Sequence, residues 1–155
     1  DVNEVVRGAL RDFAGVPDGV QLGSELAEDL PRVRLDRDQM TRVLINLVAN
    51  AVDAVEGRGS VDVRTVKTRD ERGEGVEIHV QDDGPGIPPD VREKIFTPYF
   101  TTKANGTGLG LAIVQRIVID HGGEIVITEA RGRGTDFVVR LRAAGGVLPA
   151  VAPAA

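Results

Sequence analysis

NLVANAVDA, residues 46–54, lies inside a longer run, DRDQMTRVLINLVANAVDAVE (36–56). Met40, Val43, Leu44, Leu47, Val48, Ala51 and Val55 recur there at three- and four-residue spacings, the signature of a helix with one buried face. Asp36 is placed to cap its start, with Gln39 at the third helical position completing a capping box, and GRG at 57–59 stops it. This is the strongest helix of the chain, and it carries an anomaly. Asn46 and Asn50 are four apart and Asp53 three further on, so the three polar side chains rise along one line beside the apolar stripe. Such a line fits an ordinary solvated face, and it equally fits the border of a pocket. An asparagine oxygen is a hard neutral ligand suited to hydrated magnesium when phosphates supply the other oxygens.

Outward from this helix, residues 3–14 repeat apolar positions helically, with Asn3 as the candidate cap, and short extended pieces are predicted near 20–26 and 32–35. VDVRTV (61–66) and VEIHV (76–80) alternate as half-buried strands, with KTRDERGEG as the exposed connection between them. The alternation puts His79 on the solvent phase. PPDVREKIF predicts a short helix with proline in its first turn; a further helix runs from about Gly108 to Asp120, with His121 at its end. EIVIT (124–128) and TDFVVRL (135–141) close the pattern as strands around the turn RGRG. Four main strands, one or two short ones and three substantial helices do not alternate as strict βαβ units. The expected architecture is a two-layer α/β sandwich, a mixed, mainly antiparallel sheet covered on one face by helices.

At 155 residues, 41% hydrophobic, with a net charge of −5, the chain has the size and composition of one domain with a real core. Mixed charge signs leave no broad basic face, which argues against nucleic acid as a partner. The absence of cysteine excludes disulfides and thiolate chemistry. No apolar run is long enough to span a bilayer, and no secretory signal pattern is present in this stretch. The 143–155 segment, AAGGVLPAVAPAA, has little to bury and reads as a flexible tail or linker after a 1–142 domain.

Two further stretches carry chemistry. In DDGPGIPP (82–89), beyond a strand ending at Val80, glycines let the chain turn close to a planar ligand. A carboxylate there can accept from an exocyclic amine, with Ile87 against the ring; a plain turn is the alternative. In TTKANGTGLGLAIV (101–114), glycines at 106, 108 and 110 precede a helix and can aim backbone N–H groups at phosphates, with Lys103 adding positive charge. The spacing matches neither a dinucleotide fingerprint nor a P-loop.

The order of these elements resembles the ATP-binding catalytic domain of bacterial sensor histidine kinases, in the superfamily with gyrase, the Hsp90 chaperones and MutL. NLVANAVDA is similar to its N box, DDGPGIP to the first glycine box, IFTPYFTTK to the F box, GTGLGLAIV to the second glycine box and RGRGTDFVVRL to the last glycine segment, over residues 1–142. The resemblance implies a Bergerat-type fold binding ATP (or ADP) and Mg2+. It assigns Asn50 as the principal magnesium ligand, with Asn46 helping to hold metal and triphosphate, and Asp83 as reader of the adenine amine with Thr135 assisting through water. Gly84, Gly86 and Ile87 would shape the adenine pocket. Lys103 would face the triphosphate, Asp53 the nucleotide site, and Gly106, Thr107, Gly108, Leu109 and Gly110 would form a lid. Phe96 and Phe100 look like F-box aromatics, either packing the lid base or filling core.

Two departures shape the expected chemistry. ATP-hydrolysing relatives have glutamate where this chain has Asn46, and an amide cannot accept a proton from water at neutral pH. Many sensor kinases have a basic residue where this chain has Asp53, which leaves that phosphate contact to Lys103. These features resemble the nitrogen-regulation type. The phosphoacceptor histidine is missing, since His79 and His121 both follow the N box. The resemblance therefore implies a protein histidine kinase whose γ-phosphoryl acceptor sits on a dimerisation hairpin outside this chain, so the piece itself should turn over little ATP. Its implied partners are that hairpin and a downstream response regulator, with a monomeric isolated domain, a homodimeric full-length protein, and a cytoplasmic position in an inner-membrane sensor. The alternatives are an anti-sigma-type serine kinase and a nucleotide-gated interaction module.

Overall fold

The structure is a computed structural model, and it describes residues 1–13, 15–100, 108–130 and 133–144. Among the described residues five strands form one sheet: β1 (Val20–Leu26), β2 (Gly59–Asp70), β3 (Gly73–Asp82), β4 (Glu124–Glu129) and β5 (Thr135–Arg142), in the order β1-β2-β3-β5-β4. β1 and β2 are parallel and the other three pairings antiparallel, so the sheet is mixed and mainly antiparallel, as expected. The parallel pair needs a crossover, which is the long helix α2 (Arg37–Ala54). The remaining helices are α1 (Val2–Arg11), α3 (Pro89–Arg92) and α4 (Gly110–Asp120).

The core lies between α2 and the sheet. Met40, Val43, Leu44, Leu47, Val48 and Ala51 are buried along one face of α2, and they meet the inward phase of the strands: Val61 and Val63 from β2, Val76, Ile78 and Val80 from β3, Val139 and Leu141 from β5. Each fully buried side chain of this size contributes about 1.5–3 kcal/mol. α2 also packs against α1 and α4, which leaves Asn46, Asn50 and Asp53 on the side of α2 that faces neither the sheet nor solvent alone.

Several local expectations are corrected. Asp1, and not Asn3, caps α1, because Asn3 is turned inward: its Nδ2 donates to Ala27 O at 2.6 Å and its Oδ1 accepts from Thr65 Oγ1 at 2.9 Å. The Asp36 cap holds, accepting from Gln39 N–H at 3.0 Å, but the reciprocal half of the capping box is taken by another group, since Asp36 N–H donates to His121 Nε2 at 2.9 Å. Residues 32–35 form no strand; Val33 and Leu35 pack on the core while Arg32 O accepts from Ala144 N–H. The β2–β3 connection is shorter than the polar composition suggested, because both strands run on to Asp70 and Gly73 and only Glu71 and Arg72 turn. The helix after Pro88 has one turn, ending at Arg92, after which single turns deliver Ile95 and Phe96 to the core.

His79 also departs from expectation. It lies on the outer phase of β3, yet its side chain is only 14% exposed, because Asp136 on β5 and Glu77 on β3 close around it. His79 Nδ1 is 2.9 Å from Asp136 Oδ2 and Nε2 is 3.1 Å from Glu77 Oε2. His121 behaves as predicted, ending α4 with Nδ1 donating to Ile117 O at 2.7 Å.

Candidate functional site

A cavity of about 880 Å³ opens between the solvent-side line of α2 and the loop that follows β3, a size suited to a small-molecule ligand. α2 contributes Asn46, Asn50 and Asp53; the loop contributes Gly86 and Ile87; α4 contributes Gly110 and Leu111 at its amino end; Thr135 and Phe137 form the floor from β5. Val91, Ile95 and Phe100 add an apolar wall. Phe96 stands behind it, edge-on to Phe137 with ring centroids 6.5 Å apart. The helix anomaly thus has a cause, because the polar line of α2 borders a pocket.

The carboxylate at the cavity floor is Asp82, not Asp83. β3 does not stop at Val80; its inward phase, Val76, Ile78, Val80, continues to Asp82, which is 4% exposed and lines the cavity. Asp82 Oδ1 accepts from Gly84 N–H at 2.9 Å, and Thr135 N–H donates to the same carboxylate. Burial pushes the Asp82 carboxyl above its ordinary value, against the lowering pull of those two N–H groups, and the nearby Asp83 and Asp136 charges push the same way as burial. Asp83, one residue on, faces outward and does not line the cavity. Its Oδ1 accepts from Ser60 N–H at 2.8 Å and its N–H donates to Ser60 O, which extends the β2–β3 pairing past the strand end.

Two glycines around the cavity sit where an added side chain would collide with a neighbouring backbone. Gly134, at φ 106°, packs on Asp82, and an added Cβ there would run into the Asp82 carbonyl oxygen. Gly108, at φ 73°, packs on the Tyr99 backbone, and its carbonyl accepts from Tyr99 N–H at 2.9 Å; Tyr99 itself has φ 67°. Gly108 adopts its positive φ at no steric cost, whereas Tyr99 is held at one that non-glycine residues rarely take, a local strain on the Tyr99 side of the contact.

At the other end of the cavity, α4 begins at Gly110 without a side-chain cap. Its first N–H groups and its dipole favour negative charge there. Asn46 Nδ2 donates back to Arg42 O at 3.0 Å, which turns Oδ1 toward α4; a Cβ on Gly110 would come within 3.3 Å of it. The lining holds three carboxylates, Asp53, Glu56 and Asp82, and among the described residues no lysine or arginine. A polyanion bound here therefore depends on a cation or on groups beyond the described lining.

Of the residues singled out in the sequence, Asn46, Asn50, Asp53, Gly86, Ile87, Gly108, Gly110 and Thr135 come together around the cavity. Gly84 lies behind the wall, where a Cβ would meet Ala54 O at 2.7 Å, and Leu109 occupies the N-cap position of α4 without a side-chain cap bond. Lys103, Gly106 and Thr107 lie outside the described residues. Asp82, Glu56, Val91, Ile95 and Phe137 are lining residues that the sequence reading missed. Period-two alternation, continued two residues past Val80, points to Asp82.

Residues 35–145 match the profile of the histidine kinase-, DNA gyrase B-, and HSP90-like ATPases. The chain is 47% identical over 122 residues to the sensor histidine kinase ZraS of Escherichia coli O157:H7, covering 79% of this chain and 26% of that protein. It is 40% identical over 136 residues to the sensory histidine kinase/phosphatase NtrB of Rhodobacter capsulatus, covering 79% of this chain and 38% of that protein. Among solved structures, the catalytic domain of histidine kinase ThkA superposes with a TM-score of 0.78 at 35% identity, covering 90% of each chain. ThkA is also solved in complex with the response regulator protein TrrA, where the TM-score is 0.75 at 30% identity, with 91% of this chain and 40% of that one covered. The chain thus spans about a quarter of the length of ZraS. It belongs to the histidine kinase-, DNA gyrase B- and HSP90-like ATPase family, as an ATP-binding catalytic domain of the sensor histidine kinase kind.

Proposed function

We propose that the cavity takes ATP with its base at Asp82 and its phosphates between Asn46, Asn50 and the amino end of α4, and that the γ-phosphoryl passes to a histidine on a helical hairpin outside this chain. The observation that carries this reading is the buried Asp82 carboxylate beside Thr135 and Phe137 at the cavity floor, opposite a helix start that has no side-chain cap bond. Asp82 and not Asp83 is the reader of the adenine amine, with the Thr135 backbone orienting its carboxylate. Ile87, Val91 and Ile95 pack against the ring, and Gly86 lets the backbone pass close to it.

The other end fits magnesium: the Asn46 and Asn50 amide oxygens would hold it, and it would offset the triphosphate charge in a lining that otherwise repels it. Lys103 would add positive charge, with Gly106, Thr107 and Gly108 over the phosphates. An amide at position 46 takes no proton from water, so this end aligns the phosphoryl for an outside nucleophile and gives hydrolysis no base. Both histidines of the chain are occupied elsewhere: His79 between Glu77 and Asp136 on the far face of the sheet, His121 between Ile117 O and Asp36 N–H. That supports an acceptor outside the chain.

Residues 1–142 constitute the domain, and the full protein acts as a homodimer that hands its phosphoryl group to a response regulator; the ThkA–TrrA complex supports that partner class. The test is to supply a histidine-bearing hairpin in trans with labelled ATP and magnesium. Acid-labile, base-stable phosphate on the hairpin, lost in Asn50→Ala, is the expected outcome. No transfer by wild type that binds ATP would reassign the domain to a nucleotide-gated interaction module.

A further inference from the structure

Arg92 and Arg133 stand outside the cavity, on the far side of the loop that walls it. Arg133 Nε donates to Gly84 O at 3.1 Å, and Arg92 Nε donates to Ile87 O at 3.1 Å. They come from separate elements, Arg92 from α3 and Arg133 from the turn before β5. Pro85, Gly86, Ile87 and Pro88 line the main cavity, and the same four residues line a second, open recess of about 480 Å³ on the arginine side, together with Arg92 and Arg133. The wall is therefore one chain thick, and the carbonyls at both ends of its glycine turn are held from behind by guanidinium groups. Arg92 is itself steadied by Glu129 of β4 at 3.4 Å, but that carboxylate is 79% exposed and the ion pair contributes little on its own. The bond to Ile87 O is the more consequential contact.

We propose that Arg92 and Arg133 are positioning residues for the nucleotide base: they set the distance between the Gly84–Ile87 wall and Asp82, and with it affinity and base discrimination, without touching the ligand. This rests on the reading of the cavity as the ATP site. A charge-assisted donor to a backbone carbonyl fixes the chain where no regular strand pairing does so.

The test is titration of ADP, ATP and GTP into wild type, Arg92→Met, Arg133→Met and Arg133→Lys, alongside unliganded melting and amide exchange at Gly84 and Gly86. Each Met variant is expected to weaken ADP and ATP by the same factor, about threefold to tenfold. The preference for ATP over GTP should narrow, exchange at the two glycines should quicken, and the unliganded melting point should stay near wild type. Lysine at 133, which keeps a donor for Gly84 O, is expected to recover part of the affinity. Unchanged affinity in folded Met variants overturns the role while leaving the ATP site intact. A loss that differs between ADP and ATP, or that only follows lost stability, overturns it too. Failure of folded wild type to bind either nucleotide overturns the reading of the cavity itself, and this role with it.

Discussion

Asp82 and Asp83 are adjacent in the chain and serve opposite sides of the sheet end: Asp82 Oδ1 accepts from Gly84 N–H at 2.9 Å inside the cavity wall, whereas Asp83 Oδ1 accepts from Ser60 N–H at 2.8 Å at the start of β2. Opposite consequences for stability follow. Asp83→Ala removes the acceptor for Ser60 and is expected to cost about 0.5–1.5 kcal/mol in urea unfolding. Asp82 is held above its ordinary pKa by burial, so the folded state binds its proton more readily than the unfolded chain does. Its ionised form opposes folding at neutral pH, and that opposition fades as pH falls through the raised value. Asp82→Asn should therefore be at least as stable as wild type at pH 7, with that advantage shrinking as pH falls through the raised value; a clear loss of stability at pH 7 would show that the charge supports the fold.

His79 gives a pH dependence of the same sign in a higher window. The hydrogen bond to Asp136 raises its pKa, with the Asp136 charge and the hydrogen bond to Glu77 adding, against burial and the Arg64 charge. Arg140 faces the same cluster through Glu77. The other Asp136 oxygen is buried with no hydrogen-bond partner among the described residues, and the carboxylate's charge is met by His79 at 2.9 Å and by the Arg64 guanidinium at 3.9 Å. A raised histidine pKa adds stability that is complete below the ordinary value of 6.5 and disappears as pH rises through the folded one. Unfolding midpoints of wild type should fall across that window, and His79→Gln should remove the slope. An identical slope in both proteins would assign it to another group.

Asn3 ties α1 to the sheet through a closed set of bonds: it donates to Ala27 O, accepts from Thr65 Oγ1, and Thr65 Oγ1 accepts from Ala27 N–H at 2.9 Å. Asn3→Ala strands buried groups and should destabilise the domain by about 1–3 kcal/mol. A cost near zero in thermal or urea melts would mean that α1 is detachable.

Gly134 closes the cavity floor against Asp82. Gly134→Ala adds a Cβ into the Asp82 carbonyl at a φ that L-residues avoid, and should cost more than about 1 kcal/mol while also displacing the Asp82 loop. Full stability with unchanged ligand binding would contradict the close packing described.

The parts of the molecule legible in the sequence are those governed by a period. The α2 stripe, the inward phases of β2 and β3, and the glycine stop at 57–59 all follow from local spacing, and so does the single line of Asn46, Asn50 and Asp53, whereas spacing alone left open whether that line faced solvent or a pocket. The misreadings lie where tertiary contacts override a local signal. Asn3 has cap chemistry but finds Thr65, 62 residues away in sequence, and His121 displaces Gln39 from the capping box at Asp36. His79 sits on the polar phase, yet Asp136 from a different strand covers it. Asp82 was readable, because its phase follows Val80, but the adjacent glycine turn suggested an earlier strand end. Arg92 and Arg133 carried no sequence signal, since each acts on a backbone carbonyl that only the fold brings near.

The most direct test is calorimetric titration of ATP with magnesium into wild type, Asp82→Asn and Asp83→Asn. A hydrogen bond to a charged group contributes about 1.5–3 kcal/mol, so Asp82→Asn should weaken binding by about tenfold to a hundredfold while Asp83→Asn binds like wild type. Loss of binding in Asp83→Asn with retention in Asp82→Asn, or equal affinity in all three, would contradict the assignment of Asp82 as the residue that reads the base.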